Sequence, residues 1–207
     1  MRRPARPHAG LSIPGNHDRR DALLAAFLGL PTSGGFIQYA VEDLPIRLIM
    51  LDSVVAGATH GELCAARLAW LRATLAEQPD RETMIALHHP PFETGIAQFD
   101  ATNLRHPEAF HALVAANPQI TRIIAGHHHR FAIGNIAQAI CIAAPSVAYP
   151  FMVIFDPARA EAFTQEPGAF LLHDWRAGRG CVTQELFTDQ YPGPFSVPFE
   201  PDYPGRA

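Results

Sequence analysis

The sequence predicts an α/β fold. Short apolar strands alternate with helices of amphipathic spacing through the middle of the chain, and clusters of polar residues stand at the strand ends. Leu11–Pro14 reads as the end of a strand feeding a loop at Gly15, and Asp21–Leu30 as a helix closed by Gly29 and Pro31. Phe36–Val41 and Arg47–Leu51 read as strands, the second fully buried. Glu62–Glu77 has the clearest helical face, through Leu63, Ala66, Leu68, Trp70, Leu71 and Leu75, and Pro79 ends it. Thr83–Leu87 is a strand, Pro107–Ala116 a helix, and Thr121–Ala125 a strand. Ile136–Ala143 is strand-like. Phe170–His173 and Cys181–Phe187 form a hairpin about Ala177-Gly178-Arg179-Gly180.

The 207 residues suit one domain with a sizeable core. We read residues 1–190 as that domain and 191–207 as a Pro-rich tail. Hydrophobic residues make up 48% of the chain, which excludes a mostly disordered protein. No apolar run approaches the roughly 20 residues of a membrane span. Met1–Gly10 is basic and Pro-rich, unlike a signal peptide. A net charge of −4 does not invite a nucleic-acid polymer or an anionic membrane. All 16 basic residues are Arg, a bias without positional information. Cys64, Cys141 and Cys181 lack metal-site spacing and read as buried free thiols of a cytoplasmic protein.

Five of the 11 histidines fall in two tight clusters. In Gly126-His127-His128-His129, strand alternation would turn His127 and His129 into one cleft and His128 away, giving two neutral nitrogen ligands for a divalent metal. His88-His89-Pro90-Pro91 follows a buried strand that Pro90 stops, so one imidazole can face the same cleft. Gly15-Asn16-His17-Asp18 lies between a strand and a helix. There Asn offers a carbonyl oxygen and His a proton; Asp either fixes an imidazole tautomer or caps the turn.

GNHD, HHPP and GHHH, in that order, resemble the calcineurin-like metallophosphoesterases. The resemblance is closest to class III cyclic-nucleotide phosphodiesterases and related glycerophosphodiesterases. Leu51-Asp52-Ser53, the Gly61–Leu71 stretch, Gly95 and Asp100 after HHPPF, and Ala144-Pro145-Ser146 support it, and it spans roughly Leu11 to Phe187. It implies a metallophosphatase-type αββα sandwich, two mixed sheets flanked by helices. It also implies that Asn16, His88 and His127 bind one metal and His129 the other. His17 would touch the phosphate and help the leaving group, while His89 and His128 match positions that are not ligands. The activity implied is hydrolysis of a small phosphodiester, a 3′,5′-cyclic nucleotide first and a glycerophosphodiester second, with Mn, Fe or Zn as cofactor.

The family's Asp-x-His and Gly-Asp-x-x-Asp motifs lie upstream of its GNHD. Here the 15 residues before Asn16 hold no Asp or Glu, and His8 follows no Asp. The chain therefore reads as N-terminally truncated, lacking the first βαβ unit and the carboxylate that bridges the two metals. The expectation is at most one weakly bound metal, impaired turnover and an open sheet edge, with homo-oligomers compatible. The rival reading is a non-catalytic metal-binding or interaction remnant of the same fold.

Overall fold

The computed structural model describes residues 10–193 and 195. Its centre is a six-stranded mixed sheet of β1 (Tyr39–Val41), β2 (Arg47–Leu51), β4 (Thr83–Leu87), β6 (Ile120–Ala125), β8 (Ala139–Ala143) and β7 (Ala132–Ile136), in that spatial order. Strands β2, β4, β6 and β8 run parallel, and β1 and β7 close the two ends antiparallel. Parallel neighbours need crossovers, and the helices supply them. Helix α2 (Ala65–Glu77) connects β2 to β4, and α4 (Glu108–Ala115) connects β4 to β6. Two residues each of β3 (Gly61–Glu62) and β5 (Leu104–Arg105) pair parallel beside the site, and α3 (Ala97–Asp100) is a single turn.

Side-chain alternation divides the core. Ile49 and Leu51, Ile85 and Leu87, and Ile123 and Ala125 face Leu71 and Leu75 of α2 and Phe110, Leu113 and Val114 of α4. The other face carries Leu48, Met50 and Ala86, which meet Tyr39 and Val41 and, from α1 (Arg20–Ala26), Leu23 and Leu24. A hairpin of β9 (Ala169–Arg176) and β10 (Gly180–Phe187) is the second sheet. It is tied to the first by Arg122, which donates to Thr183 Oγ1 (2.7 Å) and the Cys181 carbonyl (2.7 Å), and by Trp175 Nε1 to Glu82 (2.8 Å).

The strands Arg47–Leu51 and Thr83–Leu87 have the expected bounds. Leu11–Pro14 is not a strand: the backbone of Ser12 is partnered by the Tyr39 hydroxyl, which accepts from its N–H and donates to its carbonyl, both at 3.0 Å. The first helix ends at Ala26, before the expected Leu30. The strand expected over Phe36–Val41 begins only at Tyr39, because Phe36 turns back to Ser33. Of Ile136–Ala143, Ala139–Ala143 is strand β8; Ile136 is the last residue of the antiparallel β7, and Ala137 turns between them in the left-handed region (φ 50°). Cys141 is buried, but Cys64 and Cys181 are only half-buried, and all three are free. Most of the tail expected at 191–207, like His8, lies outside the described residues. Among the described residues no helix is long and apolar enough to cross a membrane.

Leu71 is fully buried between α2 and the sheet. Leu71→Ala is expected to lower the unfolding free energy by about 2–5 kcal/mol, read from urea denaturation. A loss under about 1 kcal/mol would mean that the site collapses without a cavity.

Candidate metal centre

The parallel strands all end on one side of the sheet, where layered α/β folds collect ligand-handling groups. His88-His89 follow β4 and Gly126–His129 follow β6. The Gly126 N–H donates to the His88 carbonyl at 3.0 Å, one rung past the last strand pair. That rung sets the two imidazoles side by side, with His127 Nδ1 3.2 Å from His88 Nε2. Asn16 arrives from the Gly15–Asp18 turn and puts its Oδ1 3.0 Å from the same His88 Nε2. Gly15 makes this approach possible, because a Cβ there would lie 2.8 Å from His88 Cε1.

The turn is anchored twice. Asp18 Oδ2 accepts from the Gly15 N–H (2.8 Å), so Asp18 closes the turn and the imidazole-orienting role expected as one option is not the one it takes. Arg20, two residues on, forks onto Asp52 after β2 at 2.7 and 2.8 Å. Asp52 also accepts from Ile37 N and Val54 N, both at 3.0 Å. This buried carboxylate has four donors and acts as a joint between loops, not as part of the imidazole cluster. Asp100 is occupied in the same way, by Thr94, Gly95 and Asn103.

His88, His89 and His127 each offer a ligand atom within 4.8 Å of the others. His89 is fully buried, and its Nδ1 meets Ser53 Oγ at 2.8 Å. Its ring fills the space that a side chain at Gly61 would take. His127 Nε2 meets Thr102 Oγ1 at 2.8 Å. His129 Nδ1 lies 3.1 Å from the Tyr149 carbonyl. A carbonyl only accepts, so Nδ1 carries the proton and Nε2 keeps its lone pair. His17, exposed, lines the same cavity as Asn16, His88, His127 and His129.

His128 does not point elsewhere as expected. It lines this cavity, buried and stacked on Phe99 with ring centroids 4.8 Å apart. The expectation assumed strand alternation, but His127 and His129 have positive φ (73° and 52°) and the segment is a turn. Thr102, Ser53, Tyr149 and Phe151 at the site were not found from sequence. They sit in segments without periodicity, and of the four only Ser53 belongs to a stretch that carries the resemblance, Leu51-Asp52-Ser53.

The donor set suits a divalent transition cation. Two atoms able to accept, Asn16 Oδ1 and His127 Nδ1, converge on His88 Nε2, and one imidazole proton cannot bridge both well. Burial, followed by the repulsion of neighbouring imidazoles, pushes His127 down to about 3. Burial likewise pushes His88 down to about 4, against a smaller opposing pull from Asp18. His128 is also pushed to about 4 by burial, and His89 is pushed lower still. At neutral pH these rings are uncharged and able to ligate.

A scan against protein-family models finds no match. Curated relatives do match. A probable glycerophosphodiester phosphodiesterase GpdQ of Arcobacter nitrofigilis is 32% identical over 187 residues, 88% of this chain and 68% of that protein. The chain belongs to the calcineurin-like metallophosphoesterases. Within that family, the glycerophosphodiester phosphodiesterase GpdQ of Enterobacter lignolyticus is 31% identical over 189 residues, 89% of this chain and 67% of the relative. The 3′,5′-cyclic adenosine monophosphate phosphodiesterase CpdA of Escherichia coli K12 is 34% identical over 118 residues, 57% of this chain and 42% of the relative. A dimetal phosphatase from Danio rerio shares the metallophosphoesterase fold, with a TM-score of 0.55 at 18% identity over 83% of this chain and 70% of that one.

The depressed imidazoles couple stability to pH. Unfolded rings take a proton near the ordinary value of 6.5, while folded His88 and His128 resist until about 4. Stability is full above pH 6.5 and falls as the pH drops towards 4. In EDTA, the urea midpoint is expected to fall steadily from pH 7 to pH 5, and to fall less in His128→Phe. A flat profile would mean that the rings titrate normally in the fold.

Proposed function

We propose that the chain is a metal-dependent phosphodiester hydrolase whose first cation is held by Asn16 Oδ1, His88 Nε2 and His127 Nδ1. The observation that carries this reading is the simultaneous approach of Asn16 and His127 to one nitrogen of His88. His129 offers Nε2 to a second centre, because its Nδ1 is committed to the Tyr149 carbonyl. A divalent cation bound here supplies Lewis-acid polarisation of the phosphoryl oxygens and makes water a better nucleophile.

The remaining steps belong to the chain. Thr102 Oγ1 holds the His127 ring from its far side, and Ser53 fixes His89 behind it. His17, on the rim, delivers a proton to the departing alkoxide. The substrates that fit this reading are 3′,5′-cyclic nucleotides first and glycerophosphodiesters second, the two classes named for the relatives. A non-catalytic metal-binding chain is the second reading. One observation favours it: among the described residues, the cluster of ligand atoms holds imidazoles and no carboxylate. Neutral ligands leave the repulsion between two cations about 3.5–4 Å apart uncompensated, which favours one bound ion.

Stripped with EDTA and reloaded with Mn²⁺, Fe²⁺ or Zn²⁺, the chain is expected to hydrolyse bis-p-nitrophenyl phosphate, and His88→Ala to lose bound metal and turnover together. Metal bound at one ion per chain without hydrolysis would establish the second reading instead.

His17→Ala is expected to retain its metal and to lower kcat about 10²–10⁴-fold on a substrate with an alkoxide leaving group. The loss should be smaller for a nitrophenolate, which scarcely needs a proton. Metal loss in His17→Ala would make that residue a ligand and remove it from this role.

A further inference from the structure

The cavity beside the imidazoles has about 320 Å³, within the ~300–1,000 Å³ span of small-molecule sites. Part of its lining has no use in phosphoryl chemistry. Tyr149 and Phe151 line it with rings 6.1 Å apart and nearly perpendicular. Phe163 packs on Tyr149 at 5.1 Å, and Phe151 stacks on His129 at 5.0 Å. Tyr149 is nonetheless 45% exposed, an uncovered aromatic at the mouth of a polar site.

The shelf is held in place. Met152 N–H donates to the Ala162 carbonyl (2.7 Å) and Thr164 N–H to the Pro150 carbonyl (3.0 Å), a short antiparallel ladder about the Phe151–Phe163 bridge. Arg130 donates to the Phe151 carbonyl at 2.5 Å and pairs with Glu166. A polar group stands beside the shelf. The Glu161 carboxylate lines the cavity as an acceptor.

We propose that Tyr149 and Phe151 form a stacking subsite for a planar heteroaromatic ring carried by the phosphodiester, so that the chain selects nucleoside-type diesters over ring-free glycerol diesters. The inference rests on the phosphodiesterase reading and narrows its substrate class. A base offers a flat face to either ring and removes the exposed aromatic surface from water. Its edge carries N–H groups of the kind the Glu161 carboxylate accepts, and Glu161 lines the same cavity. A glycerol diester supplies neither a face nor such an edge.

The test is calorimetric titration of the EDTA-treated chain with two phosphodiesters that differ in the ring, 3′,5′-cyclic AMP and glycerophosphoethanolamine. The cyclic nucleotide is expected to bind about 5- to 100-fold more tightly, the range of one base stacked on an aromatic side chain. Tyr149→Leu and Phe151→Leu are each expected to cut that ratio by about tenfold, and Tyr149→Phe to keep it. Thermal melts establish that each variant is folded. No measurable binding of the cyclic nucleotide, equal affinities in the native chain, an unchanged ratio in both Leu variants, or equal weakening of the two ligands would each overturn the proposal. Hydrolysis of phosphodiesters without ring preference sinks this inference alone. Ring preference without metal-dependent hydrolysis sinks the phosphodiesterase reading alone.

Discussion

A single backbone hydrogen bond, from the Gly126 amide to the His88 carbonyl, carries the β4–β6 pairing one rung past its last strand residues. The candidate site follows from that extension. Parallel strands place equivalent residues side by side at one height, so two chain segments leaving the sheet together keep their first side chains adjacent. The third participant comes from far away in sequence, and the sheet alone does not place it. Asn16 is held by a glycine small enough to touch an imidazole and by the Arg20–Asp52 fork, which ties its loop to the end of β2.

The imidazoles pack against one another in conditions that disfavour charge. His88, His89 and His127 have ring centroids 4.8 to 5.0 Å apart, and burial is the largest cause lowering each of them. A proton on any one would be poorly solvated and repelled by protons on the others. A cation shared among lone pairs resolves the same geometry without placing positive charge on a ring. The hydroxyls of Thr102 and Ser53 hold the outer rings, His127 and His89.

Much of this was legible in the sequence. Arg47–Leu51 and Thr83–Leu87 are continuous apolar runs, and buried parallel strands have that pattern. The convergence of HHPP and GHHH follows from their places after strands; GNHD joins them although no strand precedes it, and the structure brings Asn16, His88 and His127 into contact. What failed was reasoning that extended a period beyond the element that imposes it. Alternation was carried into Gly126–His129, which is a turn, and so His128 was turned the wrong way. The strand-like run Ile136–Ala143 holds β8, but its first residues belong to the end of β7 and to the turn at Ala137. Asp52 shows a different limit. Leu51-Asp52-Ser53 supports the family resemblance, but four donors claim the Asp52 oxygens, and donors supplied by distant loops leave no local trace.

His127 and His129 occupy backbone conformations that residues with a Cβ seldom adopt. Each such position costs on the order of 1–3 kcal/mol, and the fold offers no relief except replacement of the side chain. Glycine would relax the turn and discard the imidazole. On the proposed reading of these two rings as metal ligands, backbone relief and ligation are therefore opposed at both positions, and thermal robustness gained there would remove the proposed ligands.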